Sequence, residues 1–590
     1  MLGCRRSSDL TRLVGGVDSL GIAGERYSLS LTSSPPLATL RGRDGQIWAE
    51  LLLGCSLDTR EGTDTTLRIG IPRIERREDG VRVVLHLRST RWSDKRLTLD
   101  CLEDRIEVRA AVEGAGWLTS CRLLSGWHSP GASWSGGFLR SGAGFGSVFN
   151  PEPSARERRV VPACASTVID VMGGALPGLR HWFFTPAPFC FSVSRQAPPA
   201  DPASIPAGPW MAIGLLAGAG EHQFTAFGYE ALDDGFGLRL DYEGQTRIEG
   251  SWTSPALVLL PDVEDPYAGI VEHRRLLEAG GFLPAVVSTP GPAWWTRPIF
   301  CGWGAQSYLA LRSGRPAADF STQASYDQFL ESLAARSLRP GTIIIDDRWQ
   351  RAYGTGEVDE QRWPDLRGWI ARRHAEGQRV LLWWKAWDPE GLPAALCVRD
   401  GAGNPVAADP TNPAYEAHLR GRVQALLSRE GLDADGFKVD FTGGTPSGPD
   451  LTRHGKAWGV ELLHRLLAIV YDQAKRAKDD ALIVTHTPNP YFGAVTDMIR
   501  LNDVNPEQPL LPQMRHRAAV ARAACPGLLI DTDNWQMPDL ESFRAYLRVQ
   551  RELGVPSLYY TTHVDGSSEA LAAADYAALL QSWTDAEMTA

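Results

Sequence analysis

The sequence has no apolar run long enough to span a membrane, and Met1–Asp9 has two arginines with no apolar segment behind them. These absences argue against a membrane protein and against a secretory signal peptide. The chain also lacks an excess of positive charge, since its formal net charge is -10. A chain of this charge is a poor partner for nucleic acid or an anionic membrane surface, and we expect neither.

Cysteine does not form any framework pattern. Nine cysteines are scattered without Cys-x-x-Cys spacing, and their odd number leaves at least one thiol unpaired. Free thiols fit a reducing compartment best, so the sequence predicts a cytoplasmic protein.

Tryptophan, in contrast, is abundant, with 20 residues in a chain of 590. The length predicts two or three domains, and a hydrophobic content of 43% with 22% charged residues is typical of a folded soluble protein. Excess tryptophan indicates either large cores or flat apolar platforms for sugar rings, and the composition leaves both interpretations open.

The first part of the chain is read as strand after strand, separated by glycine and proline turns. Segments such as 81–87, 97–102, 106–110 and 238–242 alternate or run apolar. We therefore predict an antiparallel β-sandwich domain over residues 1–262. Asp265 and Pro266 then open a helix that ends at Gly280, and a proline-rich stretch follows, so residues 263–297 are predicted to be a connecting helix and linker.

From Pro298 onward, short apolar runs alternate with amphipathic helical stretches. The predicted strands are 299–303, 341–346, 380–384, 437–441, 482–485, 498–501, 527–531 and 556–560. The predicted helices are 326–337, 362–376, 414–430, 454–478, 514–524, 540–553 and 569–583. Eight strand-then-helix units predict that residues 298–590 form a (β/α)8 TIM barrel.

The fourth of these strands contains an unusual charge pair. In the sequence 437–441, three apolar residues alternate with Lys438 and Asp440, which places the cation and the anion on one face. Such charges persist in a buried strand only if they are paired or functional. A structural ion pair at a strand end is the alternative interpretation.

In a barrel of this kind the C-terminal strand ends carry the active site. We call the side chains at these ends the crown; its predicted members are Trp303, Asp346, Asp347, Trp349, Trp384, Lys385, Lys438, Asp440, His486, Arg500, Asp503, Asp531 and Asp533. Simpler roles exist for several: a lone aspartate often caps a helix, which would explain Asp531 and Asp533, His486 could be a satisfied strand-end histidine, and Trp303 and Trp384 could belong to the core.

The crown residue types favour a neutral, polyhydroxylated substrate. Carboxylates accept hydrogen bonds from hydroxyl groups, and indole faces stack on the C–H faces of pyranose rings. The sequence contains no glycine-rich phosphate loop, and only His486 among the histidines of this half directly follows a strand. We therefore predict a carbohydrate substrate with no metal site and no cofactor.

Two crown carboxylates suit glycosidic cleavage, which needs a pair of them flanking the anomeric carbon. Asp440 ends strand four and Asp503 follows strand six, so the barrel can bring them together. Lys438 is expected to keep Asp440 ionised as a nucleophile, whereas the less charged setting of Asp503 is expected to let it hold a proton as the acid/base.

Three short motifs resemble the clan D retaining α-glycosidases, glycoside hydrolase families 27, 31 and 36. Lys438-Val439-Asp440 resembles the nucleophile motif, with the surrounding Gly436–Phe441 most similar to family 31. Asp346-Asp347-Arg348-Trp349 is similar to the Asp-Asp-Gly-Trp motif of family 36, which lines the −1 sugar pocket. Arg500-Leu-Asn-Asp503 looks like the segment of the galactosidase families whose Asp is the acid/base and whose Arg binds the sugar near O2.

Three departures from family 36 affect loops that touch the sugar. His486 and its neighbours stand where a Cys-Ser-Gly-Gly-type segment is expected, Arg348 replaces a glycine, and the sequence Trp383-Trp384-Lys385 differs from the expected segment after strand three. The identity of the sugar is therefore left open.

The resemblance implies a retaining exo-acting α-glycoside hydrolase, most simply an α-galactosidase-like enzyme with Asp440 as nucleophile and Asp503 as acid/base. Alternatives are a transglycosylase of the raffinose-synthase kind, an α-glucosidase- or α-xylosidase-like enzyme, and a non-catalytic barrel that only binds glycans. A homo-oligomer is compatible with the sequence.

Overall fold

The structure, a computed structural model, describes residues 12–16, 19–32, 36–129, 137–151, 159–164, 167–169, 186–201, 203–232, 235–284, 291–506 and 508–589. The chain divides into two compact units. Unit 1 comprises Met1–Val171, Ala187–Leu283 and Trp458–Glu461, and unit 2 comprises Met172–Pro186, Pro284–Ala457 and Leu462–Ala590. The boundaries that we predicted at residues 262 and 298 stay predictions.

Unit 1 is rich in strands. They are β1 Arg12–Gly16, β2 Ser19–Ala23, β3 Tyr27–Leu31, β4 Leu37–Gly42, β5 Ile47–Leu52, β6 Cys55–Thr59, β7 Thr65–Ile69, β8 Arg73–Arg76, β9 Gly80–Ser89, β10 Asp94–Leu102, β11 Ile106–Leu123, β12 Ser125–His128, β13 Gly137–Ala143, β14 Ser147–Phe149, β15 Val160–Pro162, β16 Thr167–Ile169, β17 Cys190–Ser194, β18 Trp210–Leu216, β19 Ala226–Leu232, β20 Gly235–Thr253 and β21 Ala256–Val263. Among the described strands, the pairing is antiparallel except between β7 and β12. The strands predicted at 81–87, 97–102, 106–110 and 238–242 lie within β9, β10, β11 and β20; the two-layered sandwich arrangement stays a prediction.

The core of unit 1 contains a buried lysine whose ammonium group has all of its hydrogen bonds. Lys95 and Asp64 are both 0% exposed and form a salt bridge of 2.8 Å. The same ammonium donates to the carbonyl of Cys55 at 3.1 Å and to the hydroxyl of Thr66 at 2.8 Å. All three hydrogens of the ammonium thus have acceptors, which offsets the cost of removing the charge from water.

Helix α1, Pro266–Ala279, packs on this sheet and begins as the sequence predicts. The side chain of Asp265 accepts a hydrogen bond from the Ala268 amide at 2.8 Å, and Pro266 occupies the first turn. His273 in the middle of the helix is 1% exposed, and its Nε2 contacts the carbonyl oxygen of Leu215 in β18 at 2.7 Å.

Unit 2 contains a parallel eight-stranded sheet. Its strands are β22 Ile299–Cys301, β23 Thr342–Ile345, β24 Arg379–Lys385, β27 Gly436–Asp440, β28 Leu482–Thr485, β29 Met498–Arg500, β30 Leu529–Asp531 and β31 Ser557–Leu558. A two-stranded pair, β25 Cys397–Arg399 and β26 Pro405–Ala408, follows β24. The sequence did not predict this pair, but it did predict all eight strands of the parallel sheet.

The sheet closes on itself. Its order is β30-β29-β28-β27-β24-β23-β22-β31, and a parallel bridge between Asp531 and Val555 joins the two ends. The Val555 amide donates to the carbonyl of Ile530 at 2.7 Å, and the Thr532 amide donates to the carbonyl of Val555 at 3.2 Å. All eight C-terminal strand ends therefore meet on one side of a barrel-like sheet, where the crown was predicted.

Helices follow the barrel strands. They are α2 Trp303–Ser313, α3 Gln323–Ala334, α4 Leu366–Ala375, α5 Pro413–Leu427, α6 Gly459–Ala477, α7 Leu510–Ala524, α8 Leu540–Leu547, α9 Gln550–Leu553 and α10 Ala573–Thr589. Helix α2 corrects a prediction, because the first strand ends at Cys301 and Trp303 begins a helix. Within the described part of the chain, every helix is too short or too polar to cross a membrane.

Gly436 shows why the central strand β27 needs glycine at its first position. Its φ is +147°, and a Cβ built there would lie 1.9 Å from the carbonyl oxygen of Leu482 in the neighbouring strand β28. Any side chain would force the two strands apart. The Gly-Phe-Lys-Val-Asp sequence thus fits a strand that pairs closely on both sides.

Candidate active site

Asp440 lies at the end of β27, with 17% of its side chain exposed. Its Oδ1 lies 3.3 Å from Arg500 Nη2, 3.4 Å from His486 Nε2 and 2.9 Å from the amide of Phe441. Its Oδ2 accepts a hydrogen bond of 3.0 Å from the indole of Trp383. Burial opposes ionisation, but Arg500 and His486 outweigh it and hold the pKa of Asp440 well below its ordinary value.

Arg500 connects this carboxylate to two others. The side chain is 2% exposed. Its Nη1 donates to Asp503 Oδ1 at 2.8 Å and to Asp533 Oδ2 at 2.5 Å, while Nη2 donates to Asn502 Oδ1 at 2.8 Å. One guanidinium therefore holds Asp440 and Asp503 on its two nitrogens.

Asp503 differs from Asp440 in its protonation. Burial, together with the negative charges of Asp533 and Asp440, raises the pKa of Asp503 to about 6 despite the opposing effect of Arg500. The two carboxyl groups share one arginine but favour opposite protonation states. Such a division is the requirement for a nucleophile and a proton donor in one site.

Two further aspartates lie behind Arg500. Asp533 and Asp531 are 0% exposed. Asp533 Oδ1 accepts from the amide of Trp535 at 3.0 Å, and its own amide donates to Asp531 Oδ1 at 2.9 Å. With no exposed surface, Asp533 is suited to holding Arg500 rather than to touching a sugar. Burial and Asp533 raise the pKa of Asp531 to about 6.

Lys438 forms its ion pair with Asp346 and not with Asp440, although its charge still helps to lower the pKa of Asp440 as predicted. Its ammonium lies 2.7 Å from Asp346 Oδ2 and 3.6 Å from the sulfur of Cys301, which itself lies 3.0 Å from that carboxylate oxygen. Burial disfavours the ammonium, but Asp346 outweighs it and raises the pKa of Lys438. Asp346, at the end of β23, takes the ion pair of Lys438, so the charge of Arg500 and the hydrogen bond from His486, more than the charge of Lys438, keep Asp440 ionised.

Asp347 lies on the other side of this pair and is bound to an aromatic residue that the sequence did not single out. The hydroxyl of Tyr353 donates to Asp347 Oδ1 at 2.7 Å. Burial raises the pKa of Asp347 to about 6 although this hydrogen bond opposes the rise. The ammonium of Lys385 lies 4.4 Å from the centre of the Tyr353 ring and 2.8 Å from Asp388 Oδ2.

The sequence analysis placed Trp384 in the crown at the end of β24, but the structure places its neighbour Trp383 there. In the sheet register Trp383 pairs with Lys438 and Lys385 pairs with Asp440, so Trp383 and Lys385 share the face of the two charges. Trp384 points to the opposite face, where it borders an apolar cavity with Leu419 of α5. Trp384 therefore does not face the candidate site, contrary to the prediction, and the tryptophan that does is Trp383, which is 2% exposed and contacts Asp440.

Trp349 is also absent from the accessible crown. It is 0% exposed, and its indole donates to the carbonyl of Trp383 at 2.7 Å. The side chain supports strand β24 from behind. A buried tryptophan cannot stack on a sugar, so this prediction is corrected: Trp349 positions Trp383.

Trp303 lies beside a residue that the sequence analysis missed. Its ring centroid is 5.9 Å from that of Trp535, at an interplanar angle of 70°, and both side chains are partly exposed. No strand pattern pointed to Trp535, because it lies four residues beyond the end of β30. The repeated polar sequence 531–534 before it was the available signal.

The site thus offers a carboxylate that is held ionised, a carboxyl group whose pKa is raised to about 6, and aromatic side chains. Below pH 6 these two carboxyl groups supply the chemical types of a nucleophile and a proton donor. Among the described residues no group of His, Cys, Asp and Glu side chains is arranged to hold a metal ion.

Comparisons with known proteins identify the fold. A GH31 family sulfoquinovosidase from E. rectale, in complex with an aza-sugar inhibitor, matches with a TM-score of 0.58 at 10% identity over 98% of this chain and 83% of that chain. An α-galactosidase from Thermus thermophilus in complex with stachyose matches with a TM-score of 0.50 at 14% identity over 90% and 98% of the two chains. A cycloalternan-degrading enzyme from Trueperella pyogenes matches with a TM-score of 0.50 at 13% identity over 96% and 76%.

The chain spans about half the length of a cycloalternan-forming enzyme from Listeria monocytogenes, which it matches over 51% of that chain at 11% identity, with a TM-score of 0.48. No family model and no curated protein matches the sequence. The chain therefore shares the fold of glycosidases of the kind that its three motifs resemble.

Proposed function

We propose that this protein is a retaining, exo-acting α-glycoside hydrolase in which Asp440 is the nucleophile and Asp503 the acid/base. One observation carries the proposal: Arg500 binds both carboxyl groups, yet the pKa of Asp440 is held low while that of Asp503 is raised to about 6. Near pH 5 the first is ionised and the second protonated. The motif order and the shared fold support the same conclusion.

In the proposed reaction, Asp440 attacks the anomeric carbon as the glycosidic bond breaks. The proton of Asp503 passes to the leaving oxygen, which departs as a hydroxyl group. Asp503 then takes a proton from water, whose oxygen displaces Asp440 and releases the sugar with its original α configuration. His486 stays neutral in this scheme, because burial lowers its pKa against the opposing effect of Asp440.

The charges of the crown favour a neutral sugar. Its lysines and its arginine are already paired with carboxylates within 2.8 Å: Lys438 with Asp346, Arg500 with Asp533, and Lys385 with Asp388. A sulfonated or phosphorylated sugar would have to displace one of these partners. An α-galactoside-like substrate is the simplest candidate, supported by the resemblance of Arg500 and Asp503 to the galactosidase motif.

A panel of nitrophenyl α- and β-glycosides tests the class of reaction and the sugar together. We expect turnover of one neutral α-glycoside, with the α-anomer of the product appearing first in an NMR time course. Initial formation of the β-anomer would mean inversion and would rule out Asp440 as the nucleophile. Turnover of β-glycosides alone would overturn the proposal.

Asp440→Ala should lower kcat by roughly 10³-fold or more on every substrate, because no other side chain can form the covalent intermediate. Added azide should restore turnover and yield the β-glycosyl azide, since a small anion can occupy the space of the missing carboxylate. Wild-type enzyme with the same azide concentration is the control. Full activity without azide would contradict the assignment.

A further inference from the structure

Two aromatic groups border the candidate site, and they lie beside different catalytic residues. The first contains Trp383, which contacts Asp440, with Phe441 at 6.1 Å between ring centroids. The second is the pair Trp303 and Trp535, at 5.9 Å between ring centroids. The reaction gives the two groups different roles, because the nucleophile and the acid/base face different parts of a glycoside.

Trp535 is joined directly to the segment that carries Asp503. The amide of Val504, the next residue after Asp503, donates to the carbonyl of Trp535 at 2.6 Å. The amide of Trp535 donates to Asp533 Oδ1 at 3.0 Å, and Asp533 in turn binds the guanidinium nitrogen that holds Asp503. The backbone of Trp535 is thus fixed on the side of the acid/base.

The indole of Trp535 is fixed as well. Its Nε1 donates to Asp565 Oδ2 at 2.6 Å. The loop that carries Asp565 packs tightly, since a Cβ on Gly566 would lie 2.3 Å from the carbonyl oxygen of Met537. Trp303, at the start of α2, completes a corner with an interplanar angle of 70° to Trp535. A rigid aromatic surface loses little conformational entropy when it binds a ligand.

The acid/base of a retaining glycosidase faces the leaving oxygen, so the group attached to that oxygen lies on the same side. We infer that Trp303 and Trp535 form the subsite for the leaving group and that this group is itself a neutral sugar ring, whose C–H face stacks on the aromatic corner. The inference rests on the proposed function, because it takes Asp503 as the proton donor. The inference gives Trp535 a role in substrate binding. It also assigns Trp303 to the leaving group, whereas the sequence prediction had assigned it to the pocket of the cleaved sugar.

The test compares two substrates of the same glycon: a disaccharide α-glycoside, whose leaving group is a sugar, and the α-glycosyl fluoride, whose leaving group has no ring. Trp303→Ala should lower kcat/KM for the disaccharide about tenfold or more and leave fluoride turnover within about twofold of wild type. Trp535→Ala should show the same division. Trp303→Tyr, which retains a flat ring, should recover most of the loss, and Leu311→Ala, a 61% exposed position on the same helix α2, should change neither rate.

An equal loss on both substrates would mean that the tryptophans support the fold of the site, and no loss on either would mean that they do not bind the leaving group; each result overturns the inference.

Calorimetry with melibiose, raffinose and maltose distinguishes a failure of this inference from a failure of the proposed function. If wild-type protein hydrolyses no α-glycoside but binds one of these sugars, and Trp303→Ala abolishes the binding, the hydrolase proposal fails while the sugar subsite stands. Absence of sugar binding and of hydrolysis would overturn both.

Discussion

Arg500 affects the protonation of several carboxyl groups because it binds more than one of them. Its guanidinium binds Asp440, Asp503 and Asp533, so the charge available to each depends on the other two. Asp533 is fully buried, and its negative charge is one of the causes that raise the pKa of Asp503. Removing that charge should therefore be visible as a change in pH dependence.

Asp533→Asn should move the alkaline limb of the kcat/KM profile to lower pH. In the proposed mechanism, activity requires Asp503 to be protonated, so activity is present below the pKa of about 6 and lost above it. Without the negative charge of Asp533, the pKa of Asp503 falls, and the proton is lost earlier as pH rises. The pH–rate profile with an unactivated α-glycoside measures this.

A matched control is Asp327→Asn on helix α3, which removes a carboxylate that accepts from the indole of Trp369 at 2.8 Å. It should leave the limb in place. If Asp533→Asn lowered the rate equally at every pH, with no displacement of the limb, Asp533 would have only a structural role.

At the scale of elements, strand β24 shows what alternation in a sequence can and cannot predict. The strand was correctly located, but Trp383 and Trp384 are both apolar, so nothing in the pattern indicated which one faces the interior. The register between β24 and β27 answers the question, because Trp383 lies opposite Lys438 and Lys385 lies opposite Asp440. In β27 the alternation of charged and apolar residues settled the same question from the sequence.

Trp383→Phe should raise the pKa of Asp440 and move the acid limb of the profile to higher pH. The indole donates to Asp440 Oδ2 at 3.0 Å, and a hydrogen bond to the ionised form stabilises it. Trp384→Phe, on the opposite face of the strand, should lower the melting temperature without moving either limb. A limb that moved in Trp384→Phe and not in Trp383→Phe would reverse the assignment of faces.

Gly436→Ala should destabilise unit 2 by roughly 1–3 kcal/mol from backbone strain alone, with more from the contact at 1.9 Å with the Leu482 carbonyl. Urea denaturation monitored by circular dichroism measures the free energy of unfolding. Gly421→Ala is the control: it lies within helix α5, a Cβ there meets nothing within 4 Å, and the change should stabilise the protein by roughly 0.5–1 kcal/mol. Equal stability of the two variants would contradict the close pairing of β27 with β28.

Across the whole molecule, the sequence predicted the eight barrel strands and most of their helices because each signal was local: a short apolar run, a cap, a turn. The residues of the site that it missed depend on contacts between distant segments. Lys438 meets Asp346 rather than Asp440, and Trp535 meets Asp565, only because the fold brings distant segments of the chain together. Contacts of this kind leave no periodic pattern in a sequence.

Acid should destabilise unit 1 through His273. Burial lowers the pKa of this histidine from 6.5 to about 4, so the folded state lacks a proton that the unfolded chain takes up between these values. The stability that His273 contributes is therefore present above pH 6.5 and lost as pH falls toward 4. It amounts to roughly 3 kcal/mol over the whole interval.

His273→Gln can still donate to the carbonyl of Leu215 but takes up no proton, so its free energy of unfolding should fall less between pH 7 and pH 4.5, by roughly 2–3 kcal/mol. Denaturant titrations of the full chain at both pH values give the difference. His86→Gln, at a side chain 60% exposed, should keep the wild-type dependence. An unchanged pH dependence in His273→Gln would show that this histidine is not the group responsible.

The closure of the barrel also sets an order of events during synthesis. Strand β22 pairs with β31, so Ile299 and Phe300 meet Ser557 and Leu558 only after the ribosome has added the whole chain between them. At about 5–20 residues per second, that interval is roughly 10–50 s. During this interval, β31 is not yet available to pair with β22. In the finished fold, Ile299 and Phe300 are 0% exposed. Closure of the barrel therefore waits for the last strand to emerge.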